Sequence, residues 1–148
     1  MNDCFMDVRN QVDEFGGDVQ HGWTIWTWTG IFAEGEFHAV WRSPQGELVD
    51  VSSKKHGEPA IMFAADHSRV FRERRVPNIR FAISSDPRVK QLFDLHDRFQ
   101  RLVGILMKDL PFGAEIVIEG EPLEVQMQIG HLQHSLMGSR DARRAQDS

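Results

Sequence analysis

The chain has 148 residues, a usual length for one domain that buries a substantial core. Its apolar fraction of 41% and charged fraction of 26% are those of an ordinary globular protein. The formal net charge of −5 argues against a general nucleic-acid-binding protein, because such domains are normally basic as a whole.

Sequence features that direct a protein to a membrane or an oxidising compartment are not found. No stretch approaches the roughly 18 apolar residues of a membrane helix, and the first residues lack the layout of a signal peptide. A single cysteine cannot form an internal disulfide. We therefore expect a cytoplasmic protein with a free thiol at Cys4, no membrane partner and no cofactor.

The first half of the chain combines one helix with several strands. Apolar residues at helical spacing predict a helix over residues 3–15, which Gly16 and Gly17 end. The pattern then changes to that of strands, rich in aromatic and β-branched residues. The predicted strands cover residues 21–28, 32–42, 47–53, 60–64 and 78–83.

The second half is mainly helical. Ser85-Asp86-Pro87 combines a capping residue with a first-turn proline and predicts the start of a helix that extends to about residue 109. A short strand over residues 115–118 and a helix over 122–137 follow, and Gly138 is predicted to end that helix. The prediction is a single α+β domain over residues 1–138, with a disordered tail over 139–148. It consists of an N-terminal helix, an antiparallel sheet of about five strands and two C-terminal helices.

Cys4, His38 and Asp50 are the candidate catalytic residues. Thiol catalysis needs a thiolate near neutral pH, an imidazole beside it and a group that orients the imidazole. Cys4 is predicted in the first turn of a helix, where the helix dipole stabilises negative charge. His38 and Asp50 are predicted on two consecutive strands.

The turn between these strands predicts how His38 and Asp50 are placed. If Pro44-Gln45-Gly46 is a three-residue hairpin loop, Ser43 pairs with Glu47 and Asp50 lies opposite Val40. Asp50 is then diagonal to His38 on the same face of the sheet, close to hydrogen-bonding distance. A register shifted by one residue would place the two side chains on opposite faces.

The order of these residues resembles a known group of enzymes. A helix that begins with Cys, followed by the hairpin Phe37-His38-Ala39-Val40-Trp41 to Gly46-Glu47-Leu48-Val49-Asp50-Val51, resembles papain-like and transglutaminase-like thiol enzymes. The NlpC/P60-type peptidases are the compact relatives within this group. The chain is also similar to uncharacterised bacterial proteins, some of which carry a SEC-C metal motif that is absent here. The resemblance covers about residues 3–53.

The resemblance implies a papain-like core and a thiol-dependent hydrolase or transferase. Its substrate would be a peptide, a protein or another acyl compound with an amide, isopeptide or thioester bond. Cys4 would attack the carbonyl, His38 would transfer the proton and Asp50 would orient His38. The oxyanion donors or substrate groove would be formed by residues near the cysteine: Asn2, Gln20, His21 and Trp23.

Two alternatives remain open. The Arg-rich segment 69–80 contains a basic cluster, Arg69, Arg72, Arg74 and Arg75, that could bind an anion. The protein would then be a non-catalytic module that binds a protein or a nucleotide. The second alternative is a metal-dependent enzyme that uses Glu36 and His38, which lie on one face of a strand. Their spacing matches no strong metal motif.

Overall fold

The computed structural model describes residues 4–53, 59–72, 75–111 and 113–146, with side chains described up to residue 138. The helices are α1 (Cys4–Phe15), α2 (Pro87–Met107) and α3 (Glu121–Gln146). The strands are β1 (Asp18–Trp28), β2 (Phe32–Arg42), β3 (Leu48–Val49), β4 (Phe63–Ala65) and β5 (Ile79–Ala82).

The strands form one curled antiparallel sheet of five strands. The order is β3-β2-β1-β4, and β5 pairs with β2. Strands β1 and β2 form a long hairpin, whose turn contains Gly30 at a φ of 73°, a conformation that glycine adopts without strain. The predicted class, with one N-terminal helix, about five antiparallel strands and two C-terminal helices, is confirmed.

The strand predicted over residues 60–64 is found at Phe63–Ala65, and the predictions for residues 47–53 and 115–118 differ more. Strand β3 covers only Leu48–Val49, because Asp50 leaves the ladder and its carboxylate accepts hydrogen bonds from Ser52 two residues later. Residues 115–118 form no strand, and the side chain of Val117 is 80% exposed. An alternating pattern predicts a strand only where a neighbouring strand is available to pair with it, and that information is not local.

Packing divides the chain into two compact units. The first consists of residues 1–27 and 33–79, and the second of residues 28–32 and 80–148. In the first unit, α1 buries Cys4 and Val8, and β2 buries Phe37, Ala39 and Val40. Trp41 Nε1 donates a hydrogen bond to Gly16 O at 2.9 Å, which ties the end of α1 to the hairpin.

The second unit is built on the packing of α2 against α3. Its core contains seven buried apolar residues: Ile31, Phe32, Val89, Leu92, Val125, Ile129 and Leu136. The Asp86 carboxylate caps α2 by accepting the Arg88 N–H at 2.9 Å, as Ser85-Asp86-Pro87 predicted. Arg88 Nη1 also donates to Ser135 Oγ at 2.9 Å, and this bond joins the two helices.

The end of α3 was predicted incorrectly. The helix continues through Gly138 to Gln146, instead of ending at Gly138. A glycine inside a helix costs only about 1 kcal/mol relative to alanine, and the Arg and Ala residues that follow it favour the helix. Among the described helices, none is long and apolar enough to cross a membrane.

Candidate thiol, imidazole and carboxylate site

The hairpin of β2 and β3 has the register that the turn predicted. Ser43 N donates to Glu47 O at 2.9 Å, and Ser43 Oγ accepts the Glu47 N–H at 3.1 Å. Trp41 pairs with Val49, and Arg42 with Leu48. This register places Asp50 opposite Val40, so His38 and Asp50 lie on the same face of the hairpin.

His38 and Asp50 form a buried pair. The distance from His38 Nε2 to Asp50 Oδ1 is 3.1 Å, and their side chains are 5% and 9% exposed. A carboxylate only accepts hydrogen bonds, so Nε2 carries the proton that points to Asp50. The basic lone pair of the neutral ring is then on Nδ1.

Ser52 is a site residue that the sequence interpretation missed. Its Oγ donates to Asp50 Oδ1 at 2.6 Å and its backbone N–H donates to the same atom at 3.1 Å. These bonds fix the carboxylate oxygen that faces His38. The sequence carried a usable signal, since Asp-x-Ser is a spacing at which an Asp side chain accepts hydrogen bonds from the second following residue.

Cys4 begins α1 and is 1% exposed. Burial raises the pKa of its thiol from 9.0 to about 11, and the negative charges of Glu36 and Asp50 act in the same direction. A hydrogen bond from the backbone N–H of Ala39, and a weaker one from Phe5, lower the pKa but do not offset burial. The prediction of a thiolate near neutral pH, based on the helix dipole, is wrong for this resting structure because desolvation outweighs the dipole.

The sulfur of Cys4 lies next to β2, as the groups that affect its pKa show. Ala39, whose N–H contacts the sulfur, directly follows His38 in the strand. Asp50, the partner of His38, is close enough to raise the thiol pKa. The thiol, the imidazole-bearing strand and the carboxylate are therefore grouped in the first unit.

Two of the predicted oxyanion residues, Gln20 and Trp23, have other partners in this structure. Gln20 is buried and its Nε2 donates to His21 O at 2.8 Å, which leaves the second amide proton of Gln20 for another acceptor. The only donor of the Trp23 side chain is engaged by Asp66 Oδ2 at 3.0 Å. Asn2 lies outside the described residues.

Aromatic rings cover the side of α1 next to Cys4. The Phe5 and Phe71 rings are stacked with centroids 3.8 Å apart, and Phe37 lies 5.9 Å from Phe5. The His21 and Phe37 rings are parallel at 5.9 Å. Burial lowers the pKa of His21, and the Arg9 charge adds to this effect, so His21 is a neutral ring within the cluster.

The described arginines of the basic cluster, Arg69, Arg72 and Arg75, are exposed. Arg69 lies 5.5 Å from the centre of the Trp23 ring and 3.9 Å from the Asp66 carboxylate. Arg72 and Arg75 are exposed, whereas Arg74 lies outside the described residues. These arginines are therefore accessible to an anion, although Arg69 already interacts with Trp23 and Asp66.

Glu36, the carboxylate considered as a metal ligand, and Glu34 on the same strand both accept hydrogen bonds inside the first unit. Asn78 Nδ2 donates to Glu34 Oε1 at 2.7 Å, and Trp26 Nε1 donates to Glu36 Oε2 at 3.2 Å. Within the described parts of the chain, no group of three or more His, Cys, Asp and Glu residues could hold a metal ion.

Comparisons with known proteins add no relationship to this picture. No protein-family model, curated protein or solved structure matches the chain.

Proposed function

We propose that the protein is a thiol-dependent hydrolase or transferase in which Cys4, His38 and Asp50 act on an amide, isopeptide or thioester bond. The observation that carries the proposal is the buried His38–Asp50 pair at 3.1 Å, in which His38 belongs to the strand whose next residue, Ala39, contacts the Cys4 sulfur. The order of the cysteine helix, histidine strand and aspartate segment is also the order expected of a papain-like core.

In this proposal His38 uses its two nitrogens for different tasks. Nε2 donates to Asp50, which fixes the ring and the tautomer. Nδ1 accepts the Cys4 proton when the sulfur attacks the substrate carbonyl carbon. The imidazolium that results is stabilised by the Asp50 carboxylate, whose position Ser52 maintains.

A thiol enzyme starts either from a thiolate–imidazolium ion pair or from a neutral thiol that a general base deprotonates. The raised pKa of Cys4 favours the second mechanism. With a pKa of about 11, Cys4 is a neutral thiol at pH 7. The resting enzyme then has no thiolate–imidazolium ion pair, and His38 acts as a general base during the attack. General-base assistance of this kind contributes roughly 10²- to 10⁴-fold to a rate.

The covalent step balances without a cofactor. The sulfur forms a bond to the carbonyl carbon and the carbonyl electron pair moves to oxygen. When the oxyanion collapses, the leaving amine or thiol departs with the proton held by His38. The acyl thioester on Cys4 is then transferred to water in a hydrolase, or to an amine or thiol in a transferase.

The test uses p-nitrophenyl acetate, an activated acyl donor that requires no knowledge of the natural substrate. We expect release of p-nitrophenolate with one acetyl group on Cys4, located by peptide mass spectrometry. His38→Ala should slow acetylation of Cys4 by roughly 10²-fold or more. The matched control is His67→Ala, because His67 is an exposed histidine of the same unit.

Two results would overturn the proposal. One is a Cys4 that stays unmodified while the exposed lysines are acetylated. The other is acetylation of Cys4 at the same rate in His38→Ala and in His67→Ala. In either case the exposed arginines Arg69, Arg72 and Arg75 become the better guide, and the protein would be examined as an anion-binding module.

A further inference from the structure

Glu36 is a half-buried carboxylate that has no cationic partner among the described residues. Its hydrogen bond comes from Trp26 Nε1 at 3.2 Å, and a neutral indole does not balance the carboxylate charge. The same charge is close enough to the Cys4 sulfur to act on the thiol. A carboxylate that is partly withdrawn from water is stabilised by a cation, and the described part of the chain supplies none at this position.

A buried hydroxyl on the adjacent strand is a second, independent observation. Thr24 of β1 is 3% exposed, and its Oγ1 has no hydrogen-bond partner within the described structure. Folded proteins contain few buried polar atoms of this kind, because an unmade hydrogen bond is unfavourable. The hydroxyl oxygen can accept a hydrogen bond from a donor that reaches it.

Thr24 and Glu36 lie next to each other on one face of the hairpin. Side chains two residues apart on a strand share a face, so Thr24 is on the same side of β1 as Trp26, whose ring reaches Glu36. On the opposite face, the Trp23 and Phe37 rings are 5.3 Å apart. Because β1 and β2 run antiparallel, the residue after Trp23 and the residue before Phe37 are then neighbours as well. The Thr24 hydroxyl is therefore directed towards the Glu36 carboxylate.

We propose that Glu36 and Thr24 bind a primary ammonium group of the acyl substrate, so that the enzyme acts on acyl compounds that carry an amine near the scissile carbonyl. The ammonium donates one hydrogen bond to the Glu36 carboxylate and another to Thr24 Oγ1. Alternation along β2 places Glu36 on the same face as His38, the residue that receives the thiol proton. This assignment rests on the function proposed for Cys4, and the experiments below separate the two.

An ammonium bound at Glu36 also assists the reaction. The negative charge of Glu36 is one of the causes that raise the pKa of the Cys4 thiol. A cation that neutralises this charge removes that contribution, so the sulfur is easier to deprotonate when the substrate is bound. Substrates without the ammonium lose both the contact and this assistance.

The test compares two small reagents that modify Cys4 without enzymatic turnover. They are 2-aminoethyl methanethiosulfonate, which carries an ammonium, and 2-hydroxyethyl methanethiosulfonate, which is neutral and of similar size. In both reactions the sulfur displaces methanesulfinate and forms a mixed disulfide. The measured quantity is the ratio of the two rates, divided by the same ratio for N-acetylcysteine amide. The ratio cancels the local opening that exposes Cys4, and we expect it to be about tenfold in favour of the ammonium reagent.

Two variants assign this preference to the proposed site. Glu36→Gln should reduce the ratio to that of the free thiol, because it removes the charge and retains the shape. Thr24→Val should reduce it by roughly threefold, since one acceptor is lost. The matched control is Glu14→Gln, which makes the same change in net charge at an exposed position of α1 and should leave the ratio unchanged. Circular dichroism checks that the three variants fold.

Three outcomes would overturn the inference. One is a natural chain that shows no preference for the ammonium reagent, even if p-nitrophenyl acetate acetylates Cys4 and so supports the proposed function. Another is an equal fall of the ratio in Glu36→Gln and Glu14→Gln, which would show a general effect of net charge. The third is a preference that depends on Glu36 in a chain whose Cys4 is not acetylated, which would leave a cation site without a role in substrate binding.

Discussion

His38 Nε2 lies 3.1 Å from Asp50 Oδ1, and both side chains are almost fully buried. A buried hydrogen bond between an imidazole and a carboxylate is more costly to break than an exposed one, because each partner would be left without solvent. The pair therefore contributes to folding as well as to the chemistry that we propose, and the two contributions are measured by different experiments.

The first prediction concerns the stability that this pair provides. We expect Asp50→Ala to lower the free energy of unfolding by about 2–3 kcal/mol, because the buried ring loses a charged partner. Urea unfolding of Asp50→Ala, His38→Ala and the double variant forms a thermodynamic cycle. The expected coupling energy is about 1–3 kcal/mol.

Ser52→Ala measures, for comparison, the stability that one hydrogen bond to Asp50 contributes. It removes the 2.6 Å bond from Ser52 Oγ to Asp50 and retains the backbone N–H bond, so we expect a loss of about 1 kcal/mol. A coupling energy of zero between His38 and Asp50 would mean that the pair does not form in solution.

The second prediction follows from the raised pKa of Cys4. The folded protein keeps its thiol protonated to about pH 11, whereas the unfolded chain loses this proton near pH 9.0. The unfolded state therefore binds fewer protons in this interval, and stability falls as pH rises. A difference of about two pH units corresponds to a loss of about 3 kcal/mol between pH 9 and pH 11.

Cys4→Ala isolates this effect. The chain contains no Tyr, so lysine is the main other side chain that titrates in the same interval, and its contribution is common to both proteins. Chemical unfolding at several pH values should give a steeper decline for the natural chain than for Cys4→Ala. Parallel curves would contradict the prediction, and so would a decline that begins below pH 8.

The third prediction concerns access to the thiol. A reagent reaches a side chain that is 1% exposed only after a local opening. Phe71 stacks on Phe5, the residue that follows Cys4, and such a ring pair is worth about 0.5–1.5 kcal/mol. Phe71→Ala should therefore increase the rate at which Cys4 reacts with a disulfide reagent by roughly two- to tenfold.

The neighbouring substitution Val70→Ala is the control for access. Val70 is 65% exposed, and its replacement should leave the reaction rate unchanged. Equal rates in Phe71→Ala and in the natural chain would show that the opening which exposes Cys4 does not involve the Phe5–Phe71 contact. Both variants are compared at one pH, so that the thiolate fraction does not vary.

The sequence was sufficient where the deciding interactions are local. The hairpin from His38 to Asp50 is closed by Ser43 and Glu47, and its turn alone specified the register that places the two side chains together. The cap of α2 was predictable for the same reason, since Asp86 bonds to a residue two positions away. Apolar residues at helical spacing also predicted the helix that the structure has at Cys4–Phe15.

Only the tertiary structure decided the properties that depend on distant neighbours. The position of Cys4 at the start of a helix predicted a lowered thiol pKa, but burial against β2 and the charges of Glu36 and Asp50 raise it. Desolvation depends on every atom that packs around the sulfur, and no local pattern records those atoms. Likewise, Val117 alternates as a strand residue would, yet it has no pairing strand and remains exposed.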